Sequence, residues 1–87
     1  MDTAAVYAKL QDIFRDVFDD HHIVVTPDLT ADKVDGWDSV THVRLLLSIE
    51  RAFGISFSAS EVRMLKDVSE LAFLIQSKVE SKARSKP

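Results

Sequence analysis

The amino-acid sequence predicts an all-α protein, a four-helix bundle with a long first loop and a short third helix, and three observations carry that prediction. Apolar residues recur at three- and four-residue spacing near the start, in the middle and toward the end of the chain. Turn and capping residues stand between those stretches. The one β-branched cluster, Ile23-Val24-Val25, runs at once toward Pro27 and has no second strand to pair with.

Taken in order, Thr3 is the expected cap of a first helix whose apolar residues are Val6, Tyr7, Leu10, Ile13, Phe14, Val17 and Phe18. They form a single stripe, with Asp12, Arg15, Asp16 and Asp19 on the wet side. Residues 21–37 form a long connection. In it Ile23, Val24 and Val25 read as a lid, and Leu29, Val34 and Trp37 as the residues that pin the loop to the helices. Pro27-Asp28, Asp32-Lys33 and Asp35-Gly36 supply its turn chemistry. His21 and His22 beside Asp19 and Asp20 could be read as metal ligands, but a solvated loop is the commoner meaning of such a run.

The second helix, Ser39–Phe53, separates into two apolar groups when residues are placed about 100° apart. Leu45, Leu46, Ile49 and Phe53 share a sector that has no formal charge, so that sector is expected to face the core. Val40, Val43 and Leu47 fall on the other side, flanked by Arg44, Glu50 and Arg51. They are either an exposed contact strip or packing beneath the first loop. Gly54 ends this helix. Ser58 or Ser60 caps a short third helix with Glu61, Val62 and Leu65, and Asp67 caps a fourth over 68–79 with Leu71, Phe73, Leu74, Ile75 and Val79. Residues 80–87 have little to bury and are expected to be a disordered tail after a single domain over 1–79.

Composition excludes several functions. There is no cysteine, hence no disulfide framework and no thiol of the chain's own. No apolar run approaches the roughly 20 residues that span a bilayer, and the N-terminus lacks the basic region of a signal peptide, so a soluble cytoplasmic protein is expected. Net charge is -3, with the acidic surplus in the first 38 residues and the basic surplus largely in the tail. That distribution, with no basic recognition helix, argues against nucleic acid as a partner.

The informative stretch is Gly36-Trp37-Asp38-Ser39-Val40, where a turn-rich loop gives way to the second helix. Asp38 and Ser39 are both preferred cap residues, and the helix end carries partial positive charge that suits a phosphate ester as well as a cap. Ser39 is thus either a plain cap or an anchor for a phosphate. His42, one turn on, reads as a packed or half-exposed side chain rather than a catalytic base, since nothing supplies a group to orient it. With no general base for Ser39, no Gly-rich phosphate loop and no metal motif, the chain is not expected to be an enzyme.

Asp38-Ser39-Val40, followed by Val43, Leu46, Ile49, Glu50 and Phe53, resembles the Asp-Ser-Leu motif and second helix of the acyl carrier proteins, and the match runs over about residues 3–79. That resemblance implies a bundle of carrier-protein type whose Ser39 bears 4′-phosphopantetheine, with the thiol holding an acyl, polyketide or aminoacyl cargo as a thioester. It further implies a separate phosphopantetheinyl transferase using coenzyme A and Mg²⁺, and cargo-loading and cargo-accepting enzymes that meet a monomeric carrier. Asp38, Val40, Val43, Arg44, Leu47, Glu50 and Arg51 are then the partner-binding positions. The sequence departs from the fatty-acid carriers at Thr41, Arg44 and Arg51, where an acidic helix is usual, and at Trp37, which points to a specialised member. The competing reading is a four-helix interaction module in which Ser39 is only a cap.

Overall fold

The computed structural model describes residues 2–63 and 65–84, and all regular structure among them is helical. Four α-helices, α1 (Thr3–Val17), α2 (Ser39–Phe53), α3 (Ala59–Arg63) and α4 (Val68–Arg84), are joined by the long first loop, which contains a 3-10 turn at Ala31–Lys33. The 3-10 turn was not expected from the sequence. In it the Thr30 hydroxyl donates to the Asp32 carboxylate, a local bond of the kind that turns rather than helices use.

α1 is the central element and packs on both α2 and α4. Its stripe of Val6, Leu10, Phe14 and Val17 is buried, at the spacing that keeps residues on one helical face. Tyr7, Ile13 and Phe18 are half-buried at the edge of the core. Facing them are Leu45 and Ile49 of α2 and Val68, Leu71, Ala72 and Ile75 of α4. Each large side chain of this set contributes about 1.5–3 kcal/mol by leaving water. The expected core sector of α2 is the buried one. In α4 one expectation fails, because Phe73 is 75% exposed and Ala72 takes the buried position beside Leu71.

Helix ends follow side-chain chemistry closely. Asp2, not Thr3, caps α1, accepting from the Ala5 N–H at 2.8 Å, while the Thr3 hydroxyl donates across to Gln76 of α4. Gly54 closes α2 at φ 67°, a left-handed conformation that costs glycine least. Ser58 and Glu61 form the expected capping box on α3, and the Asp67 carboxylate caps α4 through the Glu70 N–H.

The expected disordered tail is a correction: α4 continues through Arg84, five residues past 79, and residues 85–87 lie outside the described part. The added turn is made mostly of good helix formers. Its Lys82 ammonium donates to the Gly54 carbonyl at 2.7 Å, while Lys9 of α1 donates to the Ala52 carbonyl at 2.9 Å. Two cations thus meet the carbonyl end of α2, where the helix dipole favours positive charge.

The first loop is fastened at several points, as its length suggests. Gln11 Oε1 accepts from the Val25 N–H, and Arg15, assigned to the wet side from sequence, donates from Nε to the Ile23 carbonyl at 2.8 Å. Val25, Leu29 and Val34 are buried. Midway along the loop the Val68 and Ser69 N–H groups of α4 donate to the Leu29 and Pro27 carbonyls. Those bonds satisfy helix-start donors that would otherwise lack partners.

Candidate functional site

Ser39 is positioned by the residues around it together with aromatic side chains of α1. Gly36 has φ 84°, which lets the chain turn sharply, and the built turn delivers Trp37 inward and Asp38 outward. Trp37 lies edge-on to Phe14, with ring centroids 5.3 Å apart, and contacts Phe18 at 5.7 Å. Its indole N–H donates to His42 Nδ1 at 3.1 Å, and the two rings stack. The loop is therefore anchored by an aromatic wedge on one side of Ser39 and returned to α2 by a hydrogen bond on the other.

Asp38 is the cap of α2. Its carboxylate accepts from the Val40 and Thr41 N–H groups, both at 3.0 Å. Thr41 completes the box, taking the Asp38 N–H on its hydroxyl oxygen at 2.8 Å while its hydroxyl proton goes to the Gly36 carbonyl at 2.7 Å. Donation from the Thr41 N–H, aided by the Val40 N–H, holds the Asp38 carboxyl below the usual carboxylate range against a smaller opposing effect of desolvation. Thr41 is a residue the sequence reading passed over as merely neutral. The Asp-x-x-Thr spacing lacks the Glu or Gln that marks most capping boxes.

Ser39 is left with nothing to cap. It is the first residue of α2, exposed to solvent, and among the described residues its hydroxyl has no hydrogen-bond partner. His42 accepts the Trp37 N–H on Nδ1 and is half-buried, so it serves the wedge.

The outer face of α2 carries the apolar strip. Val40, Val43 and Leu47 are 67%, 55% and 52% exposed, so they do not pack under the loop. A shallow groove lined by Val43, Leu46, Leu47, Phe57 and Val62 continues the strip toward α3. Arg44 and Arg51 are exposed beside it. Glu50 is half-buried and lines the same groove, its carboxylate accepting from the Phe57 N–H at 2.8 Å. On the other side of α2, beneath Trp37 and His42, lies a small apolar cavity of about 80 Å³, reached by Leu45, Leu46, Leu65, Val68 and Leu71. It is smaller than the ~150 Å³ cavity known to hold benzene. His21 and His22 lie on the open loop, where the His22 backbone N–H donates to Asp20.

A small helical bundle that caps its second helix with aspartate and displays the next residue, a serine, in open solvent is the architecture of a carrier domain. Comparison with known proteins agrees. No family model matches the chain. A protein of Coprothermobacter proteolyticus named acyl carrier protein is 29% identical over 84 residues, covering 94% of this chain and all of that one. The solution structure of the holo acyl carrier protein from Geobacter metallireducens superposes with a TM-score of 0.88 at 38% identity, covering 94% of each chain. The chain belongs to the acyl carrier protein family.

Proposed function

We propose that Ser39 is the point at which this carrier holds its cargo, through 4′-phosphopantetheine esterified to the serine hydroxyl. The observation that carries the reading is the division of labour at the head of α2. Asp38 takes the cap, so Ser39 is relieved of the structural role that serine most often plays there and its hydroxyl stays open. A phosphodiester placed at that position meets the partial positive charge of the helix start, and the Ser39 N–H is not committed to another backbone group among the described residues. The bound group supplies the thiol that a cysteine-free chain lacks.

The rest follows from what the side chains can and cannot do. His42 is occupied by Trp37, so a separate phosphopantetheinyl transferase, with coenzyme A, must install the group; the chain acts as a carrier and not as a catalyst. Cargo-loading and cargo-accepting enzymes meet the exposed strip of Val40, Val43 and Leu47, with Asp38, Arg44 and Arg51 on its rim. Glu50 borders the groove that continues the strip and also holds the α2–α3 link. The cargo is an acyl or related intermediate, and the protein is a monomeric cytoplasmic carrier.

Intact-protein mass spectrometry after incubation with a broad-specificity transferase and coenzyme A tests this. One added group on the native chain and none on Ser39→Ala is expected. No mass increase, or one that persists in Ser39→Ala, refutes it and leaves an interaction module.

A further inference from the structure

Three facts about the outer face of α2 combine. The apolar strip is exposed, the Glu50 carboxylate on its α3 side is engaged by a backbone N–H, and the two arginines on its other side have no partner among the described residues. Glu50 spends its carboxylate on the Phe57 N–H, on the flank that leads into the α3 groove. Arg44 and Arg51 lie on the opposite flank. Seven residues apart, they fall within about 20° of each other around the helix and about 10 Å apart along it. Among the described residues neither guanidinium has a hydrogen bond or an ion pair. The Asp38 carboxylate, on the rim at the Ser39 end of the strip, is engaged by the Val40 and Thr41 N–H groups.

We infer that the enzymes this carrier serves present an apolar knob ringed by carboxylates, and that two of those carboxylates engage Arg44 and Arg51 while the knob covers Val40, Val43 and Leu47. The inference rests on the carrier reading and names the partner's chemistry. A guanidinium pairs with a carboxylate in a bidentate fork, which fixes orientation as well as sign. Two such forks about 10 Å apart, parallel to an apolar strip, set the register of the partner along α2, and so its distance from Ser39. A partner with a basic docking face meets two unpaired like charges and is rejected.

The test uses two capped helical peptides with the same leucine stripe, one flanked by glutamates and one by lysines, titrated into the ¹⁵N-labelled protein. The glutamate peptide is expected to bind at least about tenfold more tightly at low salt, with shift changes centred on Val40, Val43, Arg44, Leu47 and Arg51. Salt beyond 0.1 M, where the screening length is about 10 Å, should narrow the difference. The double variant Arg44→Glu with Arg51→Glu should reverse the preference. Equal or tighter binding of the lysine peptide to the native chain, shifts centred away from α2, or no binding of either peptide overturns the inference. Mass spectrometry of the same samples keeps the two readings apart. An unmodified Ser39 refutes the carrier reading, whereas a modified Ser39 with a lysine preference refutes only the partner's sign.

Discussion

Replacing Glu50 with alanine separates a structural carboxylate from a docking one. From sequence Glu50 sits at the edge of the contact strip. In the fold its Oε2 receives the Phe57 N–H at 2.8 Å and so fixes the extended link between α2 and α3. Hydrogen bonds to charged groups contribute about 1.5–3 kcal/mol, and partial solvent access at this half-buried pair puts the value near the lower end. A loss of about 1.5–2 kcal/mol shifts the midpoint of a domain this small by on the order of 10 °C. Glu50→Gln keeps an oxygen to accept the N–H but removes the charge, so it should lose about half as much. Thermal unfolding followed by circular dichroism gives the midpoints, and amide exchange at Phe57 reports the bond itself, with faster exchange expected in Glu50→Ala. Should Glu50→Ala melt with the native protein and leave the Phe57 amide protected, the carboxylate is not holding the link. Glu50 would then be an unengaged carboxylate beside the strip, and the positive character assigned to this face would be undermined.

The other expectations are brief. Ser39→Ala should change stability by no more than about 0.5 kcal/mol, as surface substitutions away from caps do, because Asp38 does the capping; a loss of a full kcal/mol in urea unfolding would return the cap to Ser39. Ending the chain after residue 79 removes the Lys82 contact with the Gly54 carbonyl, and the midpoint should fall by about 4–8 °C for each kcal/mol lost; an unchanged midpoint would show that the last turn of α4 contributes nothing. Acid should destabilise the fold. Asp28, Asp32, Asp38, Glu61 and Asp67 all have carboxyls held below their ordinary values by hydrogen bonds, led by Thr26, Thr30, the Thr41 N–H, the Ser58 N–H and Ser69 respectively. Groups with depressed folded values contribute their stability in full above the unfolded value near 4 and lose it as pH falls through the folded one. Denaturant midpoints should therefore be flat from pH 7 to about 5 and fall below about 4; a midpoint that rises on acidification would contradict the sign. Asp38→Asn should reduce the part of that fall that comes from the head of α2.

Periodicity was enough to assign α1 and α2 and to separate the core sector of α2 from its exposed strip, because a charge-free arc on a short helix has only one inexpensive place to go. It was not enough for Phe73. Phe73 and Leu74 are adjacent apolar residues, and only the packing of α1 decides which direction around α4 is inward. The tail misled for a related reason: Glu80, Ser81 and Lys82 are exposed, and the Gly54 carbonyl that Lys82 meets lies 28 residues away in sequence. At the site, sequence brought Asp38 and Ser39 to the same helix start but left open which of them caps it. That choice depends on the turn at Gly36 and on Thr41 reaching back to its carbonyl, a five-residue contact with no signature of its own. Glu50 and Arg15 were each assigned to the surface by their charge. Both turned out to serve backbone groups of neighbouring loops, a use that a helical wheel does not record.

The first loop leaves α1, is tied at its middle to α4 and ends at the head of α2, and this has a practical consequence for anyone recombining carriers. Its opening residues are tied to Gln11 and Arg15, close by in sequence, but Pro27 and Leu29 accept from the N–H groups of Ser69 and Val68, some forty residues later. The two halves of the chain therefore share a seam that crosses the molecule. A hybrid that exchanges only α2 leaves the seam whole, whereas one cut between the loop and α4 must match a foreign loop to a foreign helix start. Such a hybrid would set the turn before Ser39 adrift even though no residue near the serine had been altered.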